Sequence, residues 1–261
     1  MSILEAIILG IIQGLTEFLP VSSSGHLALG HIIFGLEEEG LLFTIAIHVA
    51  TLIPVMIVFR KDIWTLIKQP FQKMTFLLII ATIPAALVGF LLRNVVETAF
   101  SSLQALAVGF IITGLVMTLS DKLRKNTKKS EDITYLDAAL IGTAQAAALL
   151  PGISRSGSTI SASLARGITR ESAAKFSFLM SIPAILGGAA LEIITLIQSG
   201  AGVSDISPIP LASGFLAAAF SGYLAVNFML AAIKKAKLRY FAYYVLTLSA
   251  VIIFGLIALN W

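Results

Sequence analysis

Six long apolar stretches restrict what this chain can fold into more than any other feature of its sequence. Each has about the 20 predominantly apolar residues that a helix needs to cross a bilayer. They run over residues 41–59, 74–92, 103–119, 176–197, 209–233 and 240–259. Only 12% of the 261 residues are charged, about half the share typical of soluble domains. We therefore predict an all-α, polytopic membrane protein in which residues 1–261 form a single membrane domain.

The charged residues indicate which ends of these stretches face the cytoplasm. Lysine and arginine predominate in the connections 60–73, 122–129 and 234–239. The alternate connections are neutral or acidic, at 35–40, 93–102 and 199–208. The positive-inside rule places the first set in the cytoplasm and the second set outside. Because the net charge of +4 is explained by topology, no nucleic-acid partner is expected.

One further segment must enter and leave the membrane on the same side, and we expect a second one to do so. Residues 135–175 lie between a cytoplasmic connection and a span that starts in the cytoplasm. Residues 1–34 precede an external connection, and their proline and serine-rich turn favour a re-entrant hairpin over a plain crossing with a cytoplasmic N-terminus. The predicted fold is two inverted-topology repeats, about 1–120 and 133–261, each a re-entrant helical hairpin (about 1–34 and 135–175) followed by three transmembrane helices.

An internal echo of the sequence supports this repeat. Residues 13–25 and 145–157 have the same length. Each runs from a glutamine through a proline to a serine-rich turn that ends in glycine. Ligand sites of inverted repeats lie near the middle of the membrane, where helices are broken. We therefore expect these two segments to meet there.

The first segment carries an unusual set of polar residues for so apolar a chain. Gln13 and Glu17 are four residues apart and share one face of a helix. An intramembrane carboxylate can bind a metal, act as a base or pair with a cation such as Arg155. After a proline, residues 22–24 are all serine, and His26 follows. A hydroxyl beside an imidazole or a carboxylate is the minimum for an activated nucleophile, although serines before a helix also serve as N-caps.

The second polar segment, residues 151–159, centres on Arg155, which has hydroxyl side chains and glycines on both sides. Arginine's planar fork matches phosphate oxygens, and glycine lets backbone amides approach an anion closely. A returning helix that begins at Ser158 and Thr159 would add its N-terminal dipole. The alternative is a serine-rich helix junction with a snorkelling arginine, but Arg155 would then lie deep in the bilayer.

Together, a carboxylate, a hydroxyl, an imidazole and an arginine at membrane depth suit the cleavage of a phosphoanhydride. The arginine and a divalent cation would neutralise phosphate charge while a hydroxyl or water attacks in line. Thiolate chemistry is excluded because the chain has no cysteine. The position of this set within the membrane indicates that the rest of the substrate is a lipid.

Both segments also match sequence motifs of a known family. Residues 13–26, Gln-Gly-Leu-Thr-Glu-Phe-Leu-Pro-Val-Ser-Ser-Ser-Gly-His, resemble the (E/Q)xxxE motif and adjoining Ser-Ser-x-Gly-His of the bacterial undecaprenyl-diphosphate phosphatases, the bacitracin-resistance family. Residues 151–159, Pro-Gly-Ile-Ser-Arg-Ser-Gly-Ser-Thr, resemble that family's PGxSRSxxT motif. The motifs stand in the expected order, and the likeness extends over essentially the whole chain.

The resemblance implies a hydrolase that converts undecaprenyl diphosphate to undecaprenyl phosphate and inorganic phosphate. Such an enzyme recycles the carrier lipid for peptidoglycan synthesis, cell-wall biogenesis and cell shape, and it confers resistance to the antibiotic bacitracin. The implied location is the bacterial cytoplasmic (inner) membrane, with an active site open to the outer face.

The resemblance also assigns roles to individual residues. Glu17 would be the basic or metal-handling carboxylate, and Arg155 would hold the phosphate. Ser23 would be the nucleophile and His26 its acid–base partner, although attack by water with Ser23 only binding phosphate stays open. Glu17 and Gln13 would hold a divalent cation, Mg²⁺ or Ca²⁺. The implied substrate-binding residues are Gln13, Ser22, Ser24, Gly152, Ser154, Ser156 and Thr159.

A function of another class uses the same features. Inverted repeats with broken helices are also typical of secondary transporters, so the alternative is a polyprenyl-phosphate carrier or flippase that uses the same midplane site. The expected partners are a polyprenyl diphosphate lipid and membrane lipids. The sequence leaves the formation of homo-oligomers open.

Overall fold

The computed structural model describes residues 1–34, 40–123, 127–198, 207–235 and 238–258, and its regular segments there are all helical. The helices are α1 (Ile3–Phe18), α2 (Ser23–Phe34), α3 (Leu41–Ala50), α4 (Leu52–Val58), α5 (Arg60–Lys68), α6 (Lys73–Leu91), α7 (Arg93–Phe100), α8 (Leu103–Ser120), α9 (Tyr135–Ala147), α10 (Arg155–Ala165), α11 (Arg170–Gln198), α12 (Pro208–Lys235) and α13 (Arg239–Ala258), with a 3₁₀ turn at Ser130–Asp132. Most of two predicted external connections, 35–40 and 199–208, lies outside the described residues, as do parts of 122–129 and 234–239.

Six helical segments of the described chain are long and apolar enough to cross a membrane. They are Leu41–Val58, Lys73–Leu91, Leu103–Ser120, Arg170–Gln198, Pro208–Lys234 and Arg239–Ala258. Large side chains such as Phe220, Phe254 and Ile257 stay exposed on their outer surfaces, as expected where lipid replaces water. The six predicted spans are confirmed, and the chain is a multi-pass membrane protein.

The first span is broken between α3 and α4. Pro54 has no N–H to donate to the carbonyl of Ala50, so one helical hydrogen bond is missing there. At the break, the Oγ1 of Thr51 donates to the carbonyl oxygen of His48 at 2.6 Å. The backbone of Thr51 keeps right-handed helical angles (φ −69°, ψ −13°), and the span continues as two short helices.

The short helix pairs α1–α2 and α9–α10 pack against the long helices through glycine contacts. Helix α1 lies along α12, and helix α9 lies along α6. A Cβ at Gly10 would overlap the carbonyl oxygen of Gly214, and a Cβ at Gly142 would overlap the carbonyl oxygen of Ala81. Only glycine at these two positions lets the backbones come so close.

A buried carboxylate joins the start of α9 to the end of α10. Asp137, in the first turn of α9, accepts hydrogen bonds from Arg166 Nε at the end of α10 at 2.7 Å and from Lys128 Nζ at 3.0 Å. Burial disfavours the charge on Asp137, but these donors and Thr134 outweigh it and hold the pKa of the carboxyl well below its ordinary value. Residues 135–166 thus begin and end side by side.

Helix α10 begins three residues earlier than the sequence suggested. The Oγ of Ser154 accepts a hydrogen bond from the N–H of Gly157 at 3.1 Å and caps the helix, whose first residue is Arg155. The prediction that Ser158 and Thr159 open this helix is therefore wrong. Because Ser154 already binds a free N–H of the first helical turn, the helix starts before Ser158. As a result, Arg155 itself stands at the positive end of the helix.

The close contact at Gly142 gives a test of the packing. In Gly142→Ala, the new methyl group meets the backbone of α6, so we expect the free energy of unfolding to fall by about 1–3 kcal/mol, measured by thermal unfolding in detergent. Gly187→Ala is the matched control, because nothing lies within 4 Å of its new Cβ and alanine is the better helix former. Equal stability of the two variants would contradict the packing described here.

Candidate active site

The two polar segments meet at one buried ion pair. Glu17 lies in the last turn of α1, and Arg155 is the first residue of α10. The Nη2 of Arg155 lies 2.6 Å from the Oε1 of Glu17, and the side chains are only 15% and 7% exposed. A helix C-terminal end from one half of the chain thus meets a helix N-terminal end from the other half.

The second carboxylate oxygen of Glu17 forms hydrogen bonds with two further predicted site residues. Its Oε2 accepts a hydrogen bond from the Oγ of Ser23 at 2.7 Å and one from the Nε2 of Gln13 at 3.0 Å. Glu17 therefore contacts a hydroxyl, an amide and a guanidinium at once. A hydroxyl that donates to a carboxylate is positioned to lose its proton when it attacks an electrophile.

The serines that flank Ser23 build the turn before α2. Ser22 adopts a left-handed backbone conformation with φ of 70°, which costs a non-glycine residue about 1–2 kcal/mol. The Oγ of Ser22 lies 3.2 Å from that of Ser24 and accepts from the N–H of Gly25 at 3.4 Å. These contacts hold the sharp turn that aims Ser23 at Glu17.

His26 makes its contacts away from Ser23. Its Nδ1 lies 2.7 Å from the carbonyl oxygen of Ser22 and its Nε2 lies 2.7 Å from the hydroxyl of Tyr244 on α13. The ring also stacks on Tyr244, with centroids 5.6 Å apart. Because a carbonyl only accepts, Nδ1 carries a proton and Nε2 faces the tyrosine. The carboxylate of Glu17, and not this imidazole, is the hydrogen-bond partner of Ser23 in this structure.

The second motif mainly fixes the turn that presents Arg155. Gly152 has φ of 78°, and its carbonyl accepts from the Oγ1 of Thr113 on α8 at 2.9 Å. The Oγ of Ser156 donates across to the carbonyl oxygen of Leu19 at 2.9 Å. Thr159 pairs with the Oγ of Ser177 at 2.7 Å. These residues connect the second turn to α8, to the first turn and to α11.

A cavity of about 650 Å³ borders this cluster, and its walls include Glu17, Ser23 and Arg155. Of the predicted substrate-binding residues, Ser22, Ser24 and Ser154 also line it, whereas Gly152, Ser156 and Thr159 stand behind the wall. Gln13 is fully buried behind Glu17.

A second cavity of about 990 Å³ adjoins the first. The two share wall residues, among them Ser24, Phe90 and Leu191. The larger cavity runs along α7 and α8 and is bounded mostly by apolar side chains such as Leu27, Phe100, Leu103 and Leu106. The polar cluster therefore opens into an apolar space within the same membrane domain.

Three residues on the cavity walls stood outside the predicted set. His48 and Glu192 line both cavities, and the Nδ1 of His48 lies 2.8 Å from the carbonyl oxygen of Thr44. The signal that could have found them is an ionisable side chain within an apolar span. Gln145 lines the smaller cavity, and its signal was the spacing that it shares with Gln13.

The oxygen atoms around Glu17 fit a hard divalent cation that binds together with a phosphate. Within the described residues, no group of three or more His, Cys, Asp or Glu side chains could hold a metal by itself. However, the Oε1 of Gln13 is buried without a partner among the described residues, and the Nε2 of the same amide donates to Glu17 at 3.0 Å. Mg²⁺ is commonly bound by one or two carboxylates together with substrate phosphates and water. Glu17 and Gln13 supply that kind of partial ligand set.

Comparisons with known proteins agree with this picture along nearly the whole chain. The family model described as bacitracin resistance protein BacA matches residues 6–251. The chain is 49% identical to an undecaprenyl-diphosphatase of Carboxydothermus hydrogenoformans and 47% identical to undecaprenyl-diphosphatase 4 of Bacillus cereus, over 97% of both chains in each case. It is 39% identical, over the same share, to an undecaprenyl-diphosphatase of Rubrobacter xylanophilus.

Proposed function

Because this chain belongs to the bacitracin resistance protein BacA family, we propose that it is a membrane hydrolase that removes the terminal phosphate of undecaprenyl diphosphate. The products are undecaprenyl phosphate, which re-enters cell-wall synthesis, and inorganic phosphate; the activity confers resistance to bacitracin. The family resemblance drawn from the two motifs is confirmed. The observation that carries the chemistry is that Glu17 contacts Ser23 and Arg155 at once, beside a cavity.

Arg155 is the phosphate-binding group of this proposal. Its guanidinium can leave Glu17 for the non-bridging oxygens of the diphosphate and keep a charged partner throughout. The first residues of α2 and α10, Ser23 and Arg155, both contact Glu17, so the N-terminal ends of these helices add partial positive charge there. When Arg155 moves to the phosphate, the Glu17 carboxylate is freed to accept a proton.

Ser23 is the proposed nucleophile and Glu17 its base. The Oγ of Ser23 gives its proton to the Oε2 of Glu17 and attacks the terminal phosphorus, while the bridging P–O bond breaks and undecaprenyl phosphate leaves. Water then cleaves the phosphoserine and releases inorganic phosphate. In the alternative, Glu17 activates a water molecule that attacks directly, and Ser23 only binds the phosphate. The role of His26 as an acid–base residue stays a prediction; its hydrogen bonds support a place in the structure of the turn.

A divalent cation, Mg²⁺ or Ca²⁺, belongs to the same proposal. Held by Glu17 and Gln13, it would supply Lewis-acid neutralisation of the phosphate charge. The unpartnered Oε1 of Gln13 supports this assignment. The adjoining apolar cavity suits the first part of a prenyl chain, whose transfer out of water the apolar walls favour.

We also propose the inverted-repeat topology, with repeats of about 1–120 and 133–261. In these repeats, α1 corresponds to α9, α3 to α11 and α6 to α12. The packing of α1 on α12 then corresponds to that of α9 on α6, and the packing of α3 on α12 corresponds to that of α11 on α6. The contact of α8 with α13 maps onto itself. The adjacent ends of residues 135–166 support a re-entrant second hairpin. The proposed location is the bacterial inner membrane, with the site open to the outer face; a homo-oligomer stays a prediction.

The carrier alternative has less support. The relatives named above bear the name of a diphosphatase, and none of those names describes a transporter. A binding site for transport also has no need of a hydroxyl hydrogen-bonded to a carboxylate, as Ser23 is to Glu17. The measurement that separates the two classes is release of phosphate by the purified protein.

Turnover by the purified protein tests the proposed activity. The detergent-purified protein should release phosphate from a C55 prenyl diphosphate and lose this activity in EDTA. Arg155→Ala should lower kcat/KM by about 10²–10³, the usual effect of removing one charge-stabilising group. Arg166→Ala, at the residue that follows the same helix and pairs with Asp137, is the matched control and should keep most activity. Near-normal turnover in Arg155→Ala would contradict the proposal that Arg155 binds the phosphate.

Ser23→Ala distinguishes the two nucleophiles. If Ser23 attacks, the variant should lose far more than tenfold in kcat, more than about 1.4 kcal/mol of barrier stabilisation. Ser163→Ala is the control, because its hydroxyl donates to the backbone carbonyl oxygen of Thr159 within α10 and Ser163 lines neither cavity. A loss of kcat below tenfold would indicate that water, and not Ser23, attacks the phosphorus.

The topology proposal is tested with single cysteines, which this cysteine-free chain allows without background labelling. Ile3→Cys lies at the first residue of α1, and Gly40→Cys lies after α2, just before α3. Both should react with a membrane-impermeant maleimide from outside intact cells. Lys129→Cys should react only after permeabilisation. Labelling of Gly40→Cys from outside, but of Ile3→Cys only from inside, would make the first hairpin a plain crossing.

A further inference from the structure

One buried polar side chain on the cavity wall has no role in the mechanism above. Gln145 lies in the last turn of α9, and its side chain is only 2% exposed. Among the residues that the structure describes, neither its Nε2 nor its Oε1 has a hydrogen-bond partner. It lines the same 650 Å³ cavity as Glu17, Ser23 and Arg155. Buried amides are nearly always hydrogen-bonded, because an unpaired one forfeits its interactions with water.

The repeat explains why this amide is free. Gln145 stands 132 positions after Gln13, the same interval that separates Gly157 from Gly25. Gln13 donates to Glu17, four residues further along α1. At the position equivalent to Glu17, the second half has Leu149, which also lines the cavity. Gln145 therefore has the place of Gln13 but no carboxylate to bind.

The chemistry of the free amide selects its ligand. The Nε2 offers two N–H donors, and the nearest charged site residue along the chain is Arg155, ten positions on at the N-terminal end of α10. Donors, a cation and a helix N-terminus on one hairpin favour an oxygen-rich anion. We propose that Gln145 binds the diphosphate headgroup, its Nε2 donating to a phosphate oxygen. This inference rests on the proposed function and adds a substrate-binding residue to it.

Gln145→Leu tests the role because it separates stability from activity. Removal of an unpaired buried amide should raise the Tm of the free protein, since leucine has no group to leave unsatisfied. The same change should lower kcat/KM for a C55 prenyl diphosphate by about tenfold to a hundredfold, the effect of one hydrogen bond to a charged group. A merely structural glutamine would not give a more stable and less active protein.

Gln72→Leu is the matched control. The Nε2 of Gln72 is also buried without a partner, but Gln72 stands at the start of α6 and lines neither cavity. Its variant should keep the wild-type kcat/KM. Gln145→Asn keeps the amide on a shorter side chain and should show an intermediate loss of activity, which provides a second reading if the leucine variant does not fold.

Inorganic pyrophosphate separates this inference from the phosphatase proposal. Pyrophosphate should raise the Tm of the wild-type protein by mass action and should raise that of Gln145→Leu less. This difference is measured without turnover, so it supports the binding role even if the wild type proves not to release phosphate. Wild-type kcat/KM and an unchanged pyrophosphate response in Gln145→Leu would overturn the inference and leave the phosphatase proposal intact. A wild type that neither responds to pyrophosphate nor releases phosphate would overturn both.

Discussion

The ion pair between Glu17 and Arg155 is the contact on which the rest of this structure depends. Two charges at membrane depth are tolerated only as partners, because removing one leaves the other uncompensated at a cost of about 3–5 kcal/mol. The pair therefore fixes where the two broken helix pairs meet, 2.6 Å apart at their closest charged atoms. Apolar side chains of the same volume would give an equally stable or more stable contact. Stability alone does not account for these charges, which agrees with the proposal that a bound diphosphate exchanges partners with them.

The N–H and carbonyl groups of the non-helical backbone around this pair form hydrogen bonds with side chains from other helices. Thr113 on α8 accepts from the N–H of Ser154 and donates to the carbonyl oxygen of Gly152, both at 2.9 Å. Ser156 covers the carbonyl oxygen of Leu19 in the opposite turn. Non-helical backbone is stable at membrane depth only where such partners replace water. The serines and threonines near the site thus divide into those that face the cavity and those that hold its turns.

The sequence predicted the six spans and the proximity of the two motifs, because long apolar stretches and intramembrane charges each allow few solutions. It did not predict which partner each polar side chain takes. His26 binds Tyr244, 218 residues away, and nothing local distinguishes that outcome from a bond to Ser23. Likewise, the start of α10 depended on which of several adjacent serines caps it. Helix existence follows from composition, whereas hydrogen-bond partners follow from tertiary packing.

In the repeat architecture proposed here, the two halves provide equivalent scaffolds with different chemistry. The interval of 132 residues that relates Gln13 to Gln145 also pairs Ser23 with Arg155 and Glu17 with Leu149. The first half thus has a carboxylate and a hydroxyl where the second has an apolar side chain and a guanidinium. Two equivalent cations would repel each other, and two carboxylates would repel a phosphate. The proposed chemistry needs a base as well as a cation, so the halves differ at these positions, while the closely packed glycines, Gly10 and Gly142, stay the same in both.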